Sequence, residues 1–96
     1  PKPVIFSGSC LVSPNPVIVG EQYTIIGSGF EPNIVVNVLV YDSHGVQAFN
    51  ITTNVDGNFS LSSYISWAGF VSVDVVQRKR RRYYILSTCS FEVVSP

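Results

Sequence analysis

The sequence predicts an all-β chain folded as a two-sheet antiparallel β-sandwich of about seven strands. Three observations carry that prediction. Apolar and polar residues alternate with a period of two in most segments, as in Phe59-Ser60-Leu61-Ser62 and Val71-Ser72-Val73-Asp74-Val75. Gly, Pro, Asn and Asp clusters separate these segments at short, even intervals. No stretch of ten or more residues repeats its apolar positions at helical spacing.

Taken in order, a Pro-Lys-Pro lead precedes a first strand in two halves, Val4-Ile5-Phe6 and Cys10-Leu11-Val12, with Gly8 marking a break between them. Ser13-Pro14-Asn15-Pro16 then stops pairing, because two prolines remove two backbone donors. Val17-Ile18-Val19-Gly20 leads into the second strand, residues 22–28. A Gly27-to-Phe30 turn and Pro32-Asn33 introduce the third, residues 34–41. Asp42-Ser43-His44-Gly45 is a turn, with Gly45 available for a positive φ. The fourth strand spans 46–53, with Phe49 and Ile51 opposite Asn50 and Thr52. Asp56-Gly57 signals the turn into the fifth, residues 59–64. Trp67-Ala68-Gly69 makes a corner before the sixth, residues 70–77, whose valines face inward. The last strand, residues 83–94, places Cys89, Phe91 and Val93 on one face.

The 96 residues are expected to form one domain. Charged residues make up 12%, about half the usual share. Net charge is zero, yet Lys2 is the one cation outside Arg78-Lys79-Arg80-Arg81-Arg82, so an acidic body carries a basic tip. No apolar run approaches the roughly 18 residues of a membrane-spanning helix, and no signal-peptide pattern is present. The Pro1 start and absence of Met fit either a gene product shorn of its initiator or a segment of a longer protein, since Pro-Lys-Pro is also linker chemistry.

Asn15-Pro16-Val17-x-Val19-Gly20-Glu21, Ile25-x-Gly27-Ser28-Gly29-Phe30-x-Pro32, Asp56-Gly57-x-Phe59-Ser60, Trp67-Ala68-Gly69 and Cys89-Ser90-Phe91-x-Val93 together resemble bacterial and bacteriophage immunoglobulin-like modules. The resemblance covers nearly the whole chain and consists of turn and core residues. It implies an immunoglobulin-like sandwich and a non-catalytic role in a virion or at a cell surface. The first expectation is a phage virion accessory, either a capsid decoration or a head or tail appendage, with a capsid or tail subunit or a neighbouring module as partner. The alternatives are an adhesion module of a bacterial surface protein and a carbohydrate-binding module of a secreted enzyme. The Cys-Trp-Cys spacing of antibody domains is missing.

In immunoglobulin-like topology the first strand commonly lies beside the last, so the resemblance makes Cys10 and Cys89 neighbours and a disulfide reasonable. Such a bridge would close a loop of roughly 80 residues, worth about 4.5 kcal/mol in the chain-entropy model, and would fit an oxidising compartment. The other reading is two buried thiols acting as small hydrophobes.

Arg78, Lys79, Arg80, Arg81 and Arg82 are the candidate binding residues, at the tip of a hairpin. Three readings stand: a solvated hairpin end, docking onto an acidic protein, or binding a polyanion such as an anionic glycan. Tyr83 and Tyr84 could add stacking, but nucleic acid is disfavoured because one loop supplies only salt-sensitive phosphate contacts. Trp67, with Tyr64, Tyr41 and Phe70, is either an aromatic platform for a sugar or, more commonly, a plug at one end of the sandwich.

Catalysis is not expected. The chain has no Gly-x-Ser-x-Gly elbow, and its single histidine, His44, sits in a turn. No metal or cofactor is expected, because Asp42, Asp56 and Asn58 lie in separate hairpins and two cysteines fall short of a structural zinc set. Asn50-Ile51-Thr52 and Asn58-Phe59-Ser60 match the N-glycosylation acceptor and are read as turn and strand-face residues.

Overall fold

A computed structural model describes residues 8–96. The expected first half-strand, Val4-Ile5-Phe6, lies outside the described residues. Eight strands follow: β1 (Ser9–Ser13), β2 (Val17–Ile18), β3 (Gln22–Ser28), β4 (Val35–Asp42), β5 (Gly45–Thr52), β6 (Phe59–Tyr64), β7 (Gly69–Lys79) and β8 (Arg82–Val94). They form a three-stranded sheet of order β1-β3-β6 and a five-stranded sheet of order β2-β8-β7-β4-β5, packed face to face. This is the strand order of an immunoglobulin-like sandwich.

The period-two pattern is what builds the two layers. Tyr23 and Ile25 of β3 face Val36, Val38 and Val40 of β4, with Val71, Val73 and Val75 of β7 and Phe91 and Val93 of β8 completing the core. The Tyr23 and Phe91 rings meet at a centroid distance of 4.8 Å and a tilt of 41°. That geometry adds about 0.5–1.5 kcal/mol to what the buried area supplies.

To the seven strands expected, the structure adds β2, a short eighth strand that pairs in parallel. Pro14 and Pro16 do end pairing in the first sheet, but the chain crosses to the other layer and pairs again. Val17 and Ile18 run parallel to Val93 and Val94. The Val19 amide extends the ladder to the Val94 carbonyl at 2.9 Å, and the Glu92 amide donates to Asn15 Oδ1 at 3.2 Å. The Asn15 side chain thus satisfies a β8 amide at the point where the chain changes layers.

A second departure lies between β7 and β8. Val75 pairs with Ser87 but Val76 pairs with Ile85, so Leu86 is an extra residue on β8. The bulge reverses the facing of β8. Beyond it, Ile85 and Tyr83 share the outer face with Asp74, Val76 and Arg78.

Cys10 and Cys89 form a disulfide with Cα atoms 5.9 Å apart. The first and last strands lie beside each other as expected, but across the sandwich and not within one sheet: β1 is hydrogen-bonded to β3, and β8 lies in the opposite layer. The bridge crosses the sandwich and ties the two sheets together, which places the folded protein in an oxidising environment.

At the end of the sandwich nearest the β7–β8 turn, Thr53 is the buried polar anchor. Its hydroxyl donates to the Glu31 carbonyl at 2.7 Å and accepts from the Ile34 amide at 3.0 Å. Thr53→Val keeps the volume but strands both backbone groups. It is expected to cost about 1–3 kcal/mol in urea unfolding, and a loss under about 0.5 kcal/mol would mean that water replaces the hydroxyl.

Candidate functional site

The basic run caps the hairpin, as its spacing predicts. β4 pairs with β7 only from Ser72 to Val76, and β2 reaches β8 only at Val93 and Val94. Residues 77–79 and 82–84 therefore pair with each other alone and leave the sheet as a two-stranded ribbon. Arg78, Lys79, Arg80, Arg81 and Arg82 are all exposed at its end.

The turn itself is informative. Lys79 pairs with Arg82, leaving a two-residue loop in which Arg80 and Arg81 have φ of 51° and 70°. Positive φ at both central positions is the type I′ pattern, whose twist matches the strands and which Asn-Gly satisfies best. A side chain in this left-handed region costs roughly 1–2 kcal/mol per residue. Two long cations occupy positions that local backbone energetics would give to smaller residues.

Arg78 is held back from the tip, with its guanidinium carbon 5.7 Å from the centroid of the Tyr83 ring. An exposed cation–π contact of this kind is worth about 0.5–1 kcal/mol. Tyr83 is thus engaged by its own ribbon, whereas Tyr84 lies on the other face and is exposed.

Trp67, read as a sugar platform or as a plug, is covered on one face. It is half-buried, and the His44 ring stacks on it at 4.0 Å and 30°. His44 is positioned by its turn: its amide donates to Asp42 Oδ1 at 2.7 Å, and Nδ1 lies 3.0 Å from Ser43 Oγ. Tyr64 points out from the three-stranded sheet, whereas Tyr41 and Phe70 point out from the five-stranded one. The four aromatic rings therefore do not gather on one face, although Tyr41 and Phe70 share the outer face of the five-stranded sheet. No residue-level signal in the sequence linked His44 to Trp67, which are 23 positions apart.

A groove of about 580 Å³ lies on the outer face of the five-stranded sheet. Leu39, Ala48 and Val76 line it with Tyr41, Tyr83 and Ile85, and Asn37, Asp74 and Arg78 supply its polar groups. Sequence alternation marks most of these as outward residues. The bulge that adds Tyr83 and Ile85 to the face leaves no such mark.

Among the described residues no three His, Cys, Asp or Glu side chains converge to hold a metal, and no helix is long and apolar enough to cross a membrane. The Tyr23 hydroxyl is buried and makes no hydrogen bond of good geometry. Burial raises its pKa, the nearby Ser63 hydroxyl opposes that in part, and the Asp42 charge adds a smaller upward push. Comparison of the chain with family models, curated proteins and solved structures returns no match.

Proposed function

We propose that this chain is a non-catalytic immunoglobulin-like binding module that docks onto an acidic protein surface through the arginine tip of the β7–β8 ribbon. The observation that carries this reading is the turn: Arg80 and Arg81 sit in left-handed positions and hold their guanidinium groups at the far end of a ribbon. Backbone strain of this kind marks a site where something other than stability is served. The positive end stands away from an acidic body, so the charge separation orients an approaching anionic surface before contact.

The specific version is a phage virion accessory, a capsid decoration or a head or tail appendage. The resemblance to phage and bacterial immunoglobulin-like modules supports it, and so does a disulfide suited to life outside a reducing cytoplasm. The carbohydrate-binding reading is less favoured, because Trp67 is half-buried and His44 stacks on one of its faces.

The test replaces Arg80, Arg81 and Arg82 with Ser. The far-UV spectrum and unfolding midpoint should hold, while retention on immobilised poly-glutamate at ~0.15 M salt falls at least about tenfold. Unchanged retention would remove the tip as the docking element. Mass spectrometry of purified phage particles should find the chain; its recovery from cell-wall fractions instead would favour the adhesion module.

A further inference from the structure

The outer face of the five-stranded sheet is too apolar for a solvated surface. Tyr41, Val46, Tyr83 and Ile85 are 39%, 56%, 64% and 64% exposed, around a floor of Leu39 and Val76. A contiguous patch of this kind on a small domain marks an interaction site.

We infer that this face binds a second copy of the same chain, in a two-fold dimer whose axis crosses β7 at Val76. The observation behind the choice of occupant is the charge pattern on β7. Its outward residues run Asp74, Val76, Arg78, so one anion and one cation flank an apolar centre at equal spacing. The two charges lie about 13 Å apart along the strand, too far to neutralise each other. A two-fold axis in the plane of the interface, at right angles to the strands, reverses the strand direction and leaves each strand opposite its own counterpart. Asp74 of each copy then faces Arg78 of the other, in two equivalent pairs.

The centre of the face obeys the same operation, while Tyr41 and Val46 lie at its rim. Val76 is level with Asn37 and Ile85 in the ladder, so these residues lie on the axis and meet their own copies. Leu39 and Val35, two residues to either side of Asn37 on β4, exchange places. A self-complementary patch is what an isologous interface requires. Strands β5, β4, β7 and β8 at about 4.8 Å spacing give a face of roughly 400 Å² in flat projection. With side-chain relief, two copies hide on the order of 1,000 Å², the lower bound for a specific contact. Aligned twisted sheets cross at about 30°, so side chains of the two copies interleave rather than meet head on.

The dimer carries its arginine tips at opposite ends, since the axis runs across the strands. It would therefore present two docking points per particle, although the dimer itself does not depend on the tip reading.

Sedimentation equilibrium over a concentration series tests this. The wild type should move towards twice the 10.5 kDa chain mass as concentration rises. Asp74→Arg alone, or Arg78→Asp alone, brings like charges together and should weaken the dimer at least tenfold. The double exchange D74R/R78D restores the pairs and should recover most of the wild-type association. Ile85→Arg, at an exposed position, should give a monomer with an unchanged melting profile. A wild type that stays monomeric at high concentration would overturn the proposal. So would a dimer indifferent to the single exchanges, or a double exchange no better than either single. The R80S/R81S/R82S protein should still dimerise, which separates failure of this interface from failure of the tip.

Discussion

Removing the Cys10–Cys89 bridge, by reduction or by the Cys10→Ala/Cys89→Ala double variant, is expected to destabilise the protein by about 4.5 kcal/mol. The bridge joins residues 79 positions apart, so nearly the whole chain lies inside the loop it closes. In the chain-entropy account, a cross-link of that span removes conformations from the unfolded ensemble while leaving the folded state's contacts in place. For a domain of this size the loss corresponds to a fall in Tm of roughly 20–30 °C. It is a large fraction of the 5–15 kcal/mol that holds most domains folded. Its placement adds a second effect, since the bridge links the three-stranded sheet to the five-stranded one and resists their separation. Urea unfolding with and without reductant measures the difference. A loss below about 1.5 kcal/mol would mean that the unfolded chain is already compact or that the bridge distorts the native packing.

Gly57→Ala is expected to cost about 3 kcal/mol, the next largest single effect. Gly57 closes the loop between β5 and β6 with φ of 78°, its amide donating to the Asn54 carbonyl and its own carbonyl accepting from the Phe30 amide. A Cβ at this position would overlap the Phe30 carbonyl oxygen, which is backbone and cannot swing aside. Gly20→Ala is the control. Gly20 has a comparable φ of 82°, but no heavy atom lies within 4 Å of an added Cβ. It should lose only about 1 kcal/mol, the conformational part alone. Equal losses at the two positions would show that the loop yields to the methyl group and that the Phe30 contact is not rigid.

Gly57 illustrates what kind of information each level holds. Asp56-Gly57 marks a turn in any sequence, because the need for a positive φ is local. That the same glycine must also clear the backbone of Phe30, 27 residues earlier, is visible only once the β3–β4 and β5–β6 connections are brought together. The same split appears on β7. Its inward valines are legible from alternation, whereas the facing of Ile85 and Tyr83 is not. One extra residue, Leu86, exchanges the two faces of β8 without disturbing the composition of the strand. Trp67 as a corner residue is likewise readable, and its stack on His44 is not.

The sequence by itself determined the class of fold, the strand-and-turn rhythm from β3 to β8, the inward valines and the position of the five cations on a hairpin end. Those features depend on neighbours within a few residues, through side-chain alternation and turn conformations that each segment carries alone. The tertiary structure decided which layer each strand joined, including the parallel β2, and that the disulfide spans the core. It also decided that Asp74 and Arg78 flank an apolar groove. These depend on pairings between residues tens of positions apart, whose free energy comes from burying two faces against each other and leaves no period in the chain.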